Sequence, residues 1–243
     1  MLLGEPRRFA RACYEMLEFY ADRTKRSNTT TGRIETARVL RVSRPVLRML
    51  CNEILHFEHE ERADWLEAAD LMWNTGVREG RFVAACLLSR AAPDEVPDRA
   101  ESWAEACEDA VALEKLAAEG LSAWREQDSE IFLEVLKRWM NDPRLQVRHL
   151  ALLLIANVTR DSAFDKHLPE TFRILQGVSE KVRGESLQSL HGLMRQLAKQ
   201  SPAETTKFLL DERKAGHSGI NRLIRSTIGA LPENYSEALN LNS

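Results

Sequence analysis

Apolar residues recur at helical spacing along nearly the whole chain. Phe9, Cys13, Met16, Leu17 and Tyr20 fall on one face of a 3.6-residue period. Ser43 occupies a capping position with Pro45 in the following first turn, and Val46, Leu47, Leu50, Cys51 and Ile54 continue the apolar face. The same spacing predicts further helices over 60–73, 77–91, 100–119, 129–140, 145–158, 164–175, 180–199, 203–210 and 219–231. Breaks are expected at Pro93, Pro97, Gly120, Pro143, Pro169, Pro202, Gly216 and Pro232, and the polar stretch SNTTTG over 27–32 is the clearest loop. No segment alternates at period two, so the predicted class is all-α.

An internal repeat organises these helices. Val77-Arg78, Val147-Arg148 and Val182-Arg183 are the same dipeptide at separations of 70 and 35 residues, each opening an apolar helix. Arg44 lies 34 residues before Arg78, and a helix near Ile220 lies one further period on. A period near 35 with two helices per unit predicts a curved α-solenoid of HEAT-like repeats, about six helix pairs in a single domain. Residues 1–32 then form an N-terminal helix and loop, 33–231 the repeat stack and 232–243 a C-terminal tail. The segment DPRLQVRHLALLLIANV resembles a HEAT unit, with Asp142 and Pro143 in its turn. Two readings of Arg78, Arg148 and Arg183 stand side by side: a ladder pairing each with an acid in a neighbouring unit, or a row facing phosphates. The unit expected between residues 78 and 148 lacks the dipeptide and is acidic instead, with Trp103, Glu105, Glu108 and Asp109 close together.

Composition narrows the class further. The 243 residues are 44% apolar and 29% charged, which excludes global disorder, and Leu and Ala far outnumber Val and Ile, which favours helix. The longest uncharged stretch, 149–159, has 11 residues, too few to cross a membrane. Glu5, Arg7 and Arg8 interrupt any signal-type apolar run, and a cytoplasmic location is expected. Cys13, Cys51, Cys86 and Cys107 lie far apart in apolar helical stretches, which predicts buried free thiols. The net charge of −3 argues against a wholly basic binder of nucleic acid while leaving room for a basic groove.

Four stretches carry a resemblance to a known family. RVSRPVLRML (Arg41 onward), ADLMWNTGVREGRFVAACLLSR (Ala69 onward), SWAEACED (Ser102 onward) and SLHGLMRQLAKQSPAETTKFL (Ser189 onward) together resemble the HEAT-like repeat alkylpurine DNA glycosylases of the DNA alkylation repair family, over roughly residues 40–230. The resemblance implies action on duplex DNA carrying N3- or N7-alkylated purines. Alkylation makes the base cationic and its glycosidic bond weak, and a carboxylate near the sugar stabilises the oxocarbenium-like transition state. Aromatic side chains hold the lesion, and Arg and Lys grip phosphates. With Trp103 matched to the first aromatic position of the catalytic segment, the carboxylate position falls on Glu108, with Asp109 one step beyond. The sequence departs from the pattern at two aromatic positions, which fall on Ala104 and on Gly192, the latter beside His191.

The expected catalytic group is therefore Glu108 or Asp109 with Trp103. The expected DNA contacts are Arg44, Arg48, Arg78, Arg81, Arg148, His191, Arg195, Lys199 and Arg222. Arg195, Lys199, Arg213, Lys214, His217, Arg222 and Arg225 make a dense basic set that serves either as one end of a groove or as a solubilising cap. His56 and His59 are spaced for a metal, but a solvated loop is the simpler reading, and neither a metal nor a cofactor is expected. Trp65, Trp73, Trp124 and Trp139 are expected in the core, and Glu79 and Glu114 as ladder or surface acids. No phosphate-binding Gly-rich loop or nucleophile elbow appears, so nucleotide-hydrolase and esterase readings have no support. The partner is expected to be duplex DNA, bound by a monomer. The competing class is a non-enzymatic scaffold for a protein partner, as helical stacks commonly are.

Overall fold

The computed structural model describes residues 5–22, 38–56, 62–125 and 129–240, and these are helical apart from turns, the non-helical stretch 38–43 and one isolated bridge. The expected loop at 27–32 and His59 lie outside the described residues. Contacts divide the chain into two compact units, Met1–Asp128 and Ser129–Ser243.

The first unit contains α1 (Pro6–Phe19), α2 (Arg44–His56), α3 (Arg62–Trp73), α4 (Arg78–Leu88), α5 (Val96–Glu105), α6 (Ala110–Lys115), a π-helical turn (Leu116–Gly120) and α7 (Ser122–Arg125). Its centre is α4, which packs on α1, α2, α3, α6 and the π turn. The reason is composition. Val83-Ala84-Ala85-Cys86-Leu87-Leu88 is apolar on every side, and all six residues are buried. A helix without a polar face has to be surrounded. α1 packs on α3 and α2 on α4, beside the sequential contact of α3 with α4.

Two buried carboxylates fix the approach to α4. Glu79, in its first turn, accepts the main-chain N–H groups of Leu40 and Arg41 at 3.0 and 2.6 Å. Glu79 is thus a core clamp, 3% exposed, rather than a surface acid. The clamp holds Arg41 at φ 59°, left-handed backbone that L-residues adopt at a cost, next to the Arg38–Val77 bridge. The helix expected over 100–119 is broken at 106–109. There the Asp109 carboxylate accepts from Val111 N at 3.2 Å and caps α6, the side-chain capping expected of Asp at a helix start.

The second unit contains α8 (Ser129–Met140), α9 (Leu145–Val158), a 3₁₀ turn (Ser162–His167), α10 (Leu168–Ile174), α11 (Val178–Lys181), α12 (Gly184–Gln200), α13 (Pro202–Lys214), α14 (Ile220–Thr227), a second 3₁₀ turn (Ile228–Ala230) and α15 (Glu233–Asn240). Here α12 is central and packs on α9, α13 and α14. Gln196 ties it to α9 by donating to Ala156 O at 3.2 Å and Thr159 Oγ1 at 2.9 Å. Glu212, 4% exposed, repeats the device of Glu79: both its oxygens accept from Gly177 N, at 3.1 and 3.0 Å.

Other element boundaries also differ from expectation. Pro169 stands in the first turn of α10 instead of breaking it, because a helix start has no use for that N–H. Val182 and Arg183 are extended and separate α11 from α12. The expected tail contains α15, pinned by fully buried Leu239 and by Arg213 Nη1 donating to Leu239 O at 3.0 Å. Trp65, Trp73, Trp124 and Trp139 are buried, as are all four cysteines, which are free thiols. Burial pushes the Cys13 thiol up to about 12. No helix among the described residues is long and apolar enough to cross a membrane.

Candidate nucleic-acid interface

The acidic segment of the first unit is built around a stacked tryptophan pair. Trp73 closes α3 and Trp103 lies near the end of α5, their rings 4.5 Å apart and within 10° of parallel. Trp103 Nε1 donates to Asp70 Oδ1 at 2.9 Å, and Arg99 Nη1 reaches the other oxygen of Asp70 at 2.5 Å. Arg81 covers the far Trp with its guanidinium carbon 5.4 Å from the Trp73 ring centroid, a cation–π contact. Trp103, at 5% exposure, is therefore held in the core by its indole N–H, its stack and its burial.

Just beyond Trp103 the chain turns at Cys107, Glu108 and Asp109. The Asp109 side chain is 2% exposed and meets Arg78 in a forked pair, Nε to Oδ2 at 2.8 Å and Nη2 to Oδ1 at 3.1 Å. With Val111 N also bound, both carboxylate oxygens are committed. Cys107 Sγ donates to Asp109 O at 3.6 Å, and burial raises its thiol. Glu108, one residue earlier, is exposed, and Ala104 is completely buried. Arg44 and Arg48 are exposed on α2 of the same unit.

The three Val-Arg dipeptides meet three different ends. Arg78 pairs with an acid 31 residues on. Arg148 donates through Nη1 to the main-chain oxygens of Asp142 and of Pro143, the latter at 2.9 Å, closing the turn between α8 and α9. Arg183 turns back onto Val182 O at 2.6 Å. Beside that turn Arg144 grips Asp142 and holds its carboxyl below the ordinary range.

The second unit carries the less neutralised cations. Ser129–Ser243 has 16 Lys and Arg against 13 Asp and Glu, a net +3, whereas Met1–Asp128 has 18 against 24, a net −6. On α12, Gly192, Arg195 and Lys199 are exposed at helical spacing, with His191 half-buried beside them. On α14, Arg222 and Arg225 are exposed. Among the described residues none of these four cations has a carboxylate partner; Arg195 Nε donates only to His191 O, at 3.3 Å. Burial, then Arg195 and Arg222, lowers the His191 imidazole below its usual range, so Arg195 from α12 and Arg222 from α14 converge on this ring. His191 Nε2 is enclosed without a hydrogen-bond partner. A side chain at Gly192 would project into open space.

Sequence reasoning missed Asp70 and Glu212, and expected Glu79 only as a ladder or surface acid. Their signal is faint: Glu79 directly follows a repeated Val-Arg, but an acid in a first helical turn is ordinarily solvated. The structure assembles Trp103, Asp109, Arg78 and Arg81 in one neighbourhood, and His191, Arg195 and Arg222 in another.

The described residues thus form an all-helical protein whose second unit exposes Arg195, Lys199, Arg222 and Arg225 on α12 and α14 with no carboxylate partner among those residues. The family model described as DNA alkylation repair enzyme matches residues 14–222, and the chain belongs to that family. This membership supports a role in DNA repair. No curated protein and no solved structure gives a match.

Proposed function

We propose that this chain binds duplex DNA, with helix pairs stacked in HEAT-like fashion inside each unit and with Arg195, Lys199 and Arg222 as phosphate contacts of the second unit. The packing of α2 on α4, and of α12 on α9 and α14, supports that arrangement. One observation carries the reading: the exposed cations of α12 and α14, two helices packed on each other, lack carboxylate partners among the described residues. Like charges held together without neutralisation favour a bound polyanion, and released counterions supply the free energy. Arg44 and Arg48 are the proposed contacts of the first unit. Arg78, Arg81 and Arg148 have partners inside the protein and serve mainly to hold the helices in place. In a binding titration with a short duplex, affinity is expected to be measurable at about 50 mM salt and to fall log-linearly with salt, by roughly 0.9 of a slope unit per phosphate contact. Absence of binding at low salt overturns the reading and leaves the protein-scaffold alternative.

A second reading, excision of an N3- or N7-alkylated purine, is favoured by Glu108. Both oxygens of the Asp109 carboxylate are buried against Arg78 and Val111 N, and Glu108 is an exposed carboxylate just before the head of α6. A carboxylate there would stabilise positive charge developing on the sugar as the base departs. Duplex DNA carrying N7-methylguanine is the substrate for the test, with abasic sites counted against spontaneous loss. Glu108→Gln is expected to slow release on the order of 10²-fold. Release by the unaltered protein at the buffer rate defeats this second reading and leaves DNA binding standing.

A further inference from the structure

The half-buried ring of His191 stands in a setting that phosphate binding itself would change. It lies on α12, the helix on which the second unit is built, one turn before Arg195, whose Nε donates to the His191 main-chain oxygen at 3.3 Å. Arg222 approaches from α14, which packs on α12. The ring carries an enclosed Nε2 with no partner, and the neighbouring Gly192 leaves open space where a side chain would otherwise cover the surface.

The charges bearing on this imidazole are both positive. Arg195 acts from its own helix and Arg222 from α14. The other elements packed on α12 offer no compensation. His149 of α9 is turned to Ser189 Oγ at 2.9 Å. The buried carboxylate of α13, Glu212, is occupied by Gly177 N and by His217 Nδ1 at 3.0 Å. The 3₁₀ turn Ile228–Ala230 carries no charge. In the free protein burial and two guanidinium groups therefore disfavour protonation of the ring. A phosphodiester placed against Arg195 and Arg222 cancels the repulsion that opposes protonation.

Resting on the DNA-binding reading above, we propose that His191 couples duplex binding to proton uptake: a phosphate seated on Arg195 and Arg222 draws one proton onto the imidazole, so the interface tightens as pH falls. The sign follows from linkage. The complex holds the proton more firmly than the free protein, so affinity rises on acidification between the two titration midpoints and levels off beyond them. Phosphodiesters do not titrate in this range, which leaves the protein as the source of the proton binding.

The test is calorimetric titration of a short duplex into the protein between about pH 8 and pH 6, in buffers of different ionisation enthalpy, the range in which histidine changes charge. The expected result is net uptake of up to one proton per complex, with affinity rising by at most about tenfold per pH unit. His191→Gln is expected to abolish both the uptake and the slope. A second readout needs no variant: the ring protons of His191, followed by NMR, should titrate at higher pH in the complex than in the free protein. Binding without proton uptake, or an undiminished slope in His191→Gln, overturns this inference while leaving the DNA interface intact. Failure to bind duplex at every pH overturns both.

Discussion

Asp109 divides one buried carboxylate among three donors, two on Arg78 and one on Val111. It caps α6 and neutralises the guanidinium that opens α4. Asp109→Ala is expected to destabilise the protein by about 2–4 kcal/mol: roughly 1 for the lost cap, the remainder for a partly buried Arg78 left without its carboxylate. Asp109→Asn, which keeps a capping oxygen, should cost less. Urea unfolding measures both, and a loss below about 0.5 kcal/mol would show that the pair contributes no more than an exposed one. The residue types at this site were legible, since an acidic run with Trp103 marks the stretch where the Val-Arg dipeptide is missing from its expected spacing. Their partnership was not, because Arg78 and Asp109 lie 31 residues apart and no local spacing relates them. The same limit hid Glu79, whose partners are main-chain groups near residue 40.

At the scale of elements, periodicity located helices well wherever one face is apolar and the other polar. The expected bounds 129–140 and 145–158 coincide with α8 and α9. It failed where both flanks of a turn are helix-favouring. Residues 100–119 stay in helical phase through Ala104, Ala112 and Leu116, so the interruption at 106–109 leaves no gap in the pattern; the capping Asp109 before Ala110-Val111-Ala112 was its available signal. Two glycines inside or at the start of helices separate composition from context. A methyl group at Gly192 meets nothing, so Gly192→Ala should stabilise α12 by about 0.5–1 kcal/mol, the usual helical advantage of Ala. At Gly80 a Cβ would stand 2.4 Å from Thr75 Oγ1 and 3.0 Å from Met72 O, so Gly80→Ala should destabilise despite the same propensity gain. Thermal melts of the two variants are expected to shift in opposite directions, and a shared direction would show that propensity outweighs the steric term.

Over the whole molecule the net charge of −3 conceals a division, −6 in Met1–Asp128 and +3 in Ser129–Ser243. A polyanion meets opposite fields on the two units, and the net field sets encounter as much as single contacts do. Reversing charge with Arg195→Glu and Arg222→Glu is therefore expected to weaken duplex binding more than Arg44→Glu with Arg48→Glu, and to reduce the salt slope by about one unit per contact removed. Equal losses from the two pairs would assign the interface to both units alike.

The sequence by itself determined the all-helical class and the family. Both rest on local, repeated patterns: apolar spacing at 3.6 residues, the Val-Arg period and four ordered stretches between Arg41 and Leu209, and the family match over 14–222 agrees with the last. It also marked the arginines and the acidic segment. Only the tertiary structure decided which of those charges remain available. Arg78 is met by Asp109 and Arg148 by the oxygens of its own turn, whereas Arg195 and Arg222 converge on His191 with no carboxylate among the described residues to meet them. The physical reason is that a side chain's charge is set by its sequence, but its availability is set by the partners that burial brings within about 3 Å of it.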